Sequence, residues 1–144
     1  MASVQAVLDR KGGQVVTIDV ADTVLGAASL MNERGIGGLV VMDGGRVAGM
    51  FTERDILRRV VAMQRDPART LVHEVMTTPV AVCRLQTTLT ECRAVMTEKR
   101  IRHLPVVDGK GVCGIVTIGD LMAHEVDDHE ATIQYLNEYI FGVR

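Results

Sequence analysis

The chain has 144 residues, of which 47% are apolar, with 16 basic and 18 acidic side chains. This length is enough for one compact domain with a sizeable core, and the nearly balanced charge gives no support to a nucleic-acid or acidic-membrane partner. With two Phe, two Tyr and no Trp, the core must be aliphatic. Three cysteines without CxxC spacing argue against a disulfide framework or a thiolate zinc site and favour a reducing compartment.

The first residues, MASVQAVLDRKGG, are not typical of a secretory signal. Asp9 and Arg10 interrupt the segment that would have to be apolar in a secretory signal. The longest apolar stretches elsewhere run only a few residues, far short of a membrane span. We therefore expect a cytoplasmic, soluble protein without a membrane partner.

Most of the remaining chain is written twice. Residues 15–61 (copy one) align with residues 80–126 (copy two) at a constant offset of 65 residues, without a gap. Identical pairs include Thr23/Thr88, Met31/Met96, Ile36/Ile101, Leu39/Leu104, Asp43/Asp108, Gly49/Gly114, Thr52/Thr117 and Asp55/Asp120. Self-similarity at a fixed period indicates repeated supersecondary units. Two such copies usually pack face to face about a pseudo-twofold axis, which duplicates any cleft between them.

Each copy predicts the same elements in the same order. An alternating extended segment (QVVTIDV or PVAVCRL) leads to a helix-start signal, at Asp22 or Thr23 in copy one and at Thr87 or Thr88 in copy two. A stretch with helical apolar spacing follows, then two apolar runs joined by an Asp-Gly turn, which predict a β-hairpin. A second helix begins at T-x-x-D. The order β-α-β-β-α thus occurs twice, and we expect an α/β (α+β) fold with small sheets covered by helices.

Shorter matches define the parts around the copies. SVQAVL before copy one resembles LVHEVM before copy two at an offset of 68 residues, so a helical lead-in is duplicated as well. We predict copy one with its lead-in at residues 1–66, the linker QRDPARTL and copy two at 67–127, and a tail helix at 128–144. The tail carries an apolar stripe suited to docking on the domain or on a second subunit, formed by Ile133, Leu136, Tyr139 and Ile140.

The segment whose residues are suited to ligand binding is G-x-x-T-x-x-D, which occurs at residues 49–55 and again at 114–120. The Thr ends a strand and the Asp lies in the first turn of the next helix. One interpretation is a capping box, in which the Thr accepts from a backbone amide and the acid complements the helix dipole. The other is a ligand site, in which a phosphate lies over the helix N-terminus and the carboxylate binds a ribose diol. The motif alone does not decide between them.

The combination of motifs strongly resembles the CBS-domain family, named for cystathionine β-synthase, whose paired copies form a Bateman module. The resemblance is carried by both G-x-x-T-x-x-D segments, by Arg34 with Ile36–Val41, by Arg102–Asp108 (RHLPVVD) and by Leu71–Thr77 (LVHEVMT). It covers nearly all of the chain except the last ~15 residues, and the combination is specific although each motif is weak. It implies two β-α-β-β-α CBS repeats that bind an adenosine-containing ligand between them.

The resemblance also implies which residues bind. Asp55 and Asp120 would contact ribose, Thr52 and Thr117 would accompany them, and the backbone before the hairpins would line the base pocket together with the opening strands. The complete expected set is Thr17, Ile36, Gly37, Gly38, Leu39, Thr52, Glu53, Arg54, Asp55, Val82, Arg102, His103, Leu104, Pro105, Thr117, Ile118, Gly119 and Asp120.

The two copies differ where the ligand would bind. Copy two has Arg102-His103 where copy one has Gly37-Gly38. Arg and His supply donors for phosphate, whereas Gly-Gly leaves space and free amides. Arg102, His103 and Arg54 are candidates for a shared phosphate region, with a solvated strand edge as the alternative for the first two. We expect two different pockets. A two-headed ligand such as NAD would use both, whereas AMP would need one.

We expect a regulatory module that senses AMP, ATP or NAD, in a homodimer whose ligand-dependent arrangement is read by a client protein that the sequence does not name. The alternatives are a structural scaffold with vacant clefts and an enzyme acting on nucleotides. We find no Ser-His-Asp order, paired carboxylates or P-loop, and so predict no catalytic residues. His124, Asp128 and His129 lack a strict metal signature, so we predict a solvated acidic turn and no metal there.

Overall fold

Threonines start the first long helix of each copy. In the computed structural model, which describes residues 2–127, the Thr23 hydroxyl accepts from the Gly26 amide at 3.1 Å, and the Thr88 hydroxyl accepts from the Glu91 amide at 3.1 Å. Of the two alternatives in each copy, Thr23 and Thr88 are therefore the N-caps. The helices end with a left-handed residue, Gly35 in copy one and Arg100 in copy two.

The described chain contains α1 (Val4–Lys11), β1 (Thr17–Asp19), α2 (Val24–Arg34), β2 (Gly38–Asp43), β3 (Arg46–Thr52), α3 (Glu53–Asp55, continued by a π-helical stretch Ile56–Val61), α4 (Val72–Val75), α5 (Leu89–Lys99), β4 (His103–Asp108), β5 (Gly111–Thr117) and α6 (Ile118–Asp127). The mixed fold with two related copies is the one that the sequence predicts. The proposed tail stripe lies outside the described residues. Among the helices of this part of the chain, none has the length and apolar character that a membrane crossing requires.

Each copy contains the predicted antiparallel hairpin, β2 with β3 and β4 with β5. Both hairpins have a register irregularity at the same point, between Val41 and Met42 in copy one and between Val106 and Val107 in copy two. The copies therefore share even the local deviation from regular pairing.

The opening strand differs between the copies. In copy one, β1 pairs in parallel with β2, whereas in copy two only Cys83 forms a bridge, to Val106. The position of Val40, whose amide donates to the Val16 carbonyl at 3.3 Å, is taken in copy two by Pro105. Proline has no amide hydrogen, so the equivalent ladder bond cannot form. The sequence pattern predicted a strand in both copies, and this proline explains why the second is reduced to a bridge.

The two lead-in helices are exchanged between the copies. Helix α1, which precedes copy one, contacts β5 and α6 of copy two, and the bridge from Ser3 to Thr88 fixes its start. Helix α4, which precedes copy two, packs on copy one, where Leu71 bridges to Thr23. Val4, Val7 and Leu8 accordingly belong to the apolar core of copy two, and Val72 and Val75 to the core of copy one. Each core is therefore completed by the lead-in helix that precedes the other copy.

The exchanged helices and the residues that follow them approach the two copies closely at equivalent glycines, Gly49 and Gly114. A Cβ at Gly49 would lie 2.6 Å from the Thr77 carbonyl oxygen and 2.9 Å from the Met76 sulfur. A Cβ at Gly114 would lie 2.7 Å from a terminal methyl of Leu8. The first Gly of G-x-x-T-x-x-D is thus the point of close approach between each copy and the lead-in helix packed on it.

We expect Gly49→Ala to destabilise the fold by about 1–3 kcal/mol, because its new methyl group meets backbone that cannot move aside. Gly114→Ala is the matched control and should cost less, because the end of the Leu8 side chain can rotate away. Urea denaturation of both variants measures the difference. An equal or larger loss of unfolding free energy in Gly114→Ala would contradict this account of the contact.

Candidate functional site

A cleft of about 820 Å³ lies between the two copies. Copy one contributes the end of β3 and the helix that follows it. The chain after α4 and the junction between α5 and β4 form the other wall. Its lining residues are Gly37, Met50, Thr52, Glu53, Arg54, Asp55, Arg58, Arg59, Thr77, Pro79, Val80, Ala81, Glu98, Lys99, Arg100, Ile101, Arg102 and His103.

Asp55 is held by several donors at the wall of this cleft. Its Oδ2 accepts from the Thr52 amide at 3.0 Å and from the Thr52 hydroxyl at 3.3 Å, and its Oδ1 accepts from the Thr77 hydroxyl at 3.1 Å. The Arg59 Nε lies 3.7 Å from Oδ1. The residue is only 6% exposed. The capping-box arrangement is therefore present, and it fixes the carboxylate in position beside the cleft.

Arg59 connects Asp55 to the end of α4. Its Nη1 donates to the Met76 carbonyl at 2.8 Å and to the Val75 carbonyl at 3.3 Å. These carbonyls lie at the C-terminal end of the helix, where backbone acceptors lack helical partners. The network from Asp55 through Arg59 thus joins the cleft wall to the exchanged helix.

The cleft carries an excess of positive charge. The described chain lines it with six basic and three acidic side chains. The basic ones are Arg54, Arg58, Arg59, Lys99, Arg100 and Arg102, and the acidic ones are Glu53, Asp55 and Glu98. Arg54 also crosses between the copies, donating from Nη1 to the Arg100 carbonyl at 3.0 Å. A concave surface with this charge attracts anions.

His103 fills the space that a glycine leaves on the other copy. Its Nε2 lies 3.0 Å from the position that a Cβ of Gly38 would occupy, and Gly38 is its equivalent in copy one. Burial lowers the pKa of His103. Glu53 and Asp120 oppose that shift, while Arg102 and Lys11 add to it. Gly38 and His103, at which the two copies differ, therefore pack against each other at the interface between the copies.

The second G-x-x-T-x-x-D has a different environment. Oδ2 of Asp120 accepts from the Thr117 amide at 2.8 Å and forms an ion pair with Lys11 Nζ at 2.7 Å. None of the cleft-lining residues of the described chain belongs to residues 114–120. The structure thus gives the two motifs the same helix cap and different neighbours.

The expected site residues fall into two groups. Seven of them meet in the cleft, namely Gly37, Thr52, Glu53, Arg54, Asp55, Arg102 and His103. Leu39, Leu104 and Pro105 are buried within strands, and Thr17 and Val82 are exposed on the opening segments. These five and the other six expected residues all lie outside the cleft lining, the six being Ile36, Gly38, Thr117, Ile118, Gly119 and Asp120.

Sequence reasoning missed several lining residues. Arg58 and Arg59 follow Asp55 by three and four positions, so the helical spacing of their side chains was a usable signal. Thr77, Lys99 and Arg100 carried no such signal, because their place in the cleft depends on how the copies pack.

Two further features of the described residues bear on chemistry, namely the placement of possible metal-binding side chains and two cysteines that are buried together. Within residues 2–127 no cluster of three or more His, Cys, Asp or Glu side chains is placed to hold a metal ion, while Asp128 and His129 lie outside the described residues. Cys83 and Cys92 are buried free thiols. The hydrogen bond with Cys92, together with burial, raises the pKa of Cys83, which keeps that thiol protonated.

Acidification should destabilise the fold through His103. Because burial holds its pKa below the usual value of about 6.5, the unfolded chain binds this proton more tightly than the folded one. The contribution is fully present above about pH 6.5 and is lost as the pH falls toward the folded-state pKa. Wild type should therefore lose more unfolding free energy than His103→Gln between about pH 7.5 and about pH 5.5. Urea denaturation at the two pH values measures this, with exposed His73→Gln as the control. Equal losses in wild type and His103→Gln would contradict it.

Comparisons with known proteins place both copies in the same family. The family model described as CBS domain matches residues 6–62 and 72–127. The CBS domain-containing protein YhcV of Bacillus subtilis is 36% identical over 126 residues, covering 88% of this chain and 89% of YhcV. The mitochondrial CBS domain-containing protein CBSX3 of Arabidopsis thaliana is 37% identical over 126 residues, covering 84% of this chain, which spans only 61% of CBSX3.

A solved structure agrees with this assignment. A protein with CBS domains from Burkholderia ambifaria superposes with a TM-score of 0.85 at 40% sequence identity, over 89% of this chain and 96% of that one. The superposed part of this chain includes residues of both copies. The chain therefore belongs to the CBS domain family, as a tandem pair of CBS domains.

Proposed function

We propose that this tandem pair is a regulatory module that binds an adenosine-containing nucleotide, of the AMP, ATP or NAD type, in the cleft between the copies. The observation that carries the proposal is the cleft itself, about 820 Å³ in volume, built by both copies and lined by more basic than acidic side chains. A volume of this size suits a ligand of nucleotide dimensions, and the charge suits its phosphates.

The lining suggests a division of roles. Arg54, Arg58 and Arg102 are exposed, and their guanidinium groups suit phosphate, which they bind through paired donors. Val80, Ala81 and Ile101 are partly buried apolar residues of the lining that suit the face of a base. Asp55 is the acceptor for ribose hydroxyls, because a carboxylate has about four lone-pair positions and three donors already fix its orientation.

Ligand binding would act on the arrangement of the copies. A nucleotide that contacts Asp55 from copy one and Arg102 from copy two favours the relative position in which both contacts are made. The Arg59 bonds to the end of α4 give that change a route to the exchanged helix. A client protein that binds one arrangement better than the other then responds to the nucleotide. We propose a cytoplasmic regulator without catalytic activity, a compartment consistent with its three free thiols.

The scaffold alternative also has a specific observation in its favour. Asp55 is buried and serves as the acid of a capping box, which stabilises the helix start whether or not a ligand binds. An Asp55 variant alone would therefore mix loss of binding with loss of the cap. Variants of exposed arginines that take no part in the helix cap test ligand binding without disturbing the cap.

Nucleotide binding is tested by a thermal-shift panel of AMP, ADP, ATP, NAD, NADH and S-adenosylmethionine. A ligand at ~100 times its dissociation constant should stabilise the wild type by about 2.7 kcal/mol, which is a visible rise in melting temperature for a domain of this size. Arg102→Gln should reduce that rise for the phosphate-containing ligands. Arg46→Gln removes an exposed arginine from the far end of the β2–β3 hairpin and should leave it unchanged.

Two results would argue against the proposal. The absence of a shift with all six compounds would favour the scaffold. A shift that Arg102→Gln and Arg46→Gln reduce equally would indicate general charge attraction and not binding in the cleft.

We also propose a homodimer. Leu57 and Met122 occupy equivalent positions on the second helices of the copies, and both are more than half exposed, at 62% and 53%. Val61 extends this apolar face along the π-helical stretch. Paired apolar residues at equivalent positions suit a second copy of the chain in twofold contact.

Sedimentation equilibrium should give about twice the chain mass for the wild type. The double variant Leu57→Glu, Met122→Glu should sediment as a monomer, because two buried carboxylates would oppose the interface. Leu25→Glu, at an exposed position on α2, is the control and should remain dimeric. A monomeric wild type would overturn the proposal.

A further inference from the structure

The two copies present their ribose-binding candidates differently. Asp55 lies at the wall of the cleft, with Arg59 Nε 3.7 Å from its Oδ1, whereas Asp120 is in direct contact with Lys11, at 2.7 Å. The side chains of that pair are 31% and 20% exposed, so water screens the contact only in part. A cation from the chain itself therefore occupies the carboxylate that a ligand would use in copy two.

The difference arises from the lengths of the lead-in helices. Helix α1 has eight residues and reaches Lys11, whereas α4 has four and ends at Val75. In copy one the segment that follows α4 brings Thr77 to the motif, where its hydroxyl donates to Asp55 Oδ1 at 3.1 Å. The lead-in segment packed on copy two therefore brings a charged ammonium group to Asp120, whereas the lead-in segment packed on copy one brings a neutral hydroxyl to Asp55.

The chain after Lys11 is held close to copy two. The Gly12 amide donates to the Leu8 carbonyl at 2.7 Å, which closes the end of α1. A Cβ at Gly13 would lie 2.7 Å from the Cys113 carbonyl oxygen on β5, so the backbone packs directly against that strand. These contacts fix the segment that carries Lys11 over the second motif.

We infer that Lys11 closes the second nucleotide site, so that each chain binds one nucleotide, at Asp55. This inference rests on the proposed function. The Lys11 ammonium group satisfies Asp120 and occupies the space beside it. A ligand at this position would have to displace a partly shielded ion pair before its own hydroxyls could reach the carboxylate.

Equilibrium dialysis with radiolabelled ATP measures the number of sites per chain. Wild type should bind one ATP, and Lys11→Ala should bind two. The double variant Lys11→Ala, Asp120→Ala should return to one, which assigns the added site to copy two. Lys11→Arg keeps a cation beside Asp120 and should still bind one. Circular dichroism and the melting temperature check that each variant is folded.

The outcomes separate this inference from the proposed function. One site in wild type and one in folded Lys11→Ala overturns the closing role of Lys11 and leaves nucleotide binding intact. Two sites in wild type also overturn it. Fewer sites or weaker binding in Lys11→Ala than in wild type would make Lys11 a ligand contact, which again contradicts closure. If no variant binds ATP or the compound that stabilises the wild type in the thermal-shift panel, both proposals are overturned.

Discussion

The exchange of lead-in helices is the constraint on which the rest of the structure depends. Neither copy closes its own apolar core, since Val4, Val7 and Leu8 complete the core of copy two while Val72 and Val75 complete that of copy one. Burial of apolar surface, the main favourable contribution to folding, therefore links the copies to each other. The cleft lies between the two copies, and each copy is joined to the other by the lead-in helix that packs on it.

Within this shared frame, a few residues make the copies unequal. Pro105 removes a ladder bond from the opening segment of copy two, and His103 fills the space beside Gly38. A longer α1 carries Lys11 to Asp120, whereas the shorter α4 leaves the other motif facing an open cleft. Small local differences in proline placement, side-chain volume and helix length thus give the two copies of a duplicated sequence different surroundings.

The sequence was most informative where structure is local. The offset of 65 residues predicted the repeated order of elements, and threonine caps and Asp-Gly turns marked their boundaries correctly, because capping and turn formation involve residues close in the chain. The G-x-x-T-x-x-D motif, together with the difference between the copies at Arg102, also led to Asp55, Arg54 and Arg102, which all line one cleft.

The remaining features depend on contacts between distant segments, and no short pattern reports them. The lead-in match at residues 3–8 and 71–76 indicated duplication without indicating that the helices are exchanged. Thr77 reaches Asp55 only because α4 packs on copy one, and Lys11 reaches Asp120 only because α1 packs on copy two. The tertiary fold decides which copy a lead-in helix packs against. The repeat pattern in the sequence is the same whether or not the helices are exchanged.

The exchanged helices also bear on how such a chain can arise. Because each lead-in helix packs on the other copy, two chains with one copy each would form the same contacts by exchanging helices, as a domain-swapped dimer does. Joining two such genes end to end would place both partners on one chain and preserve every swapped contact. Once joined, the halves no longer need to be identical. Substitutions such as those at residues 38 and 103 can then accumulate on one side alone, so that fusion permits two equivalent clefts to become specialised.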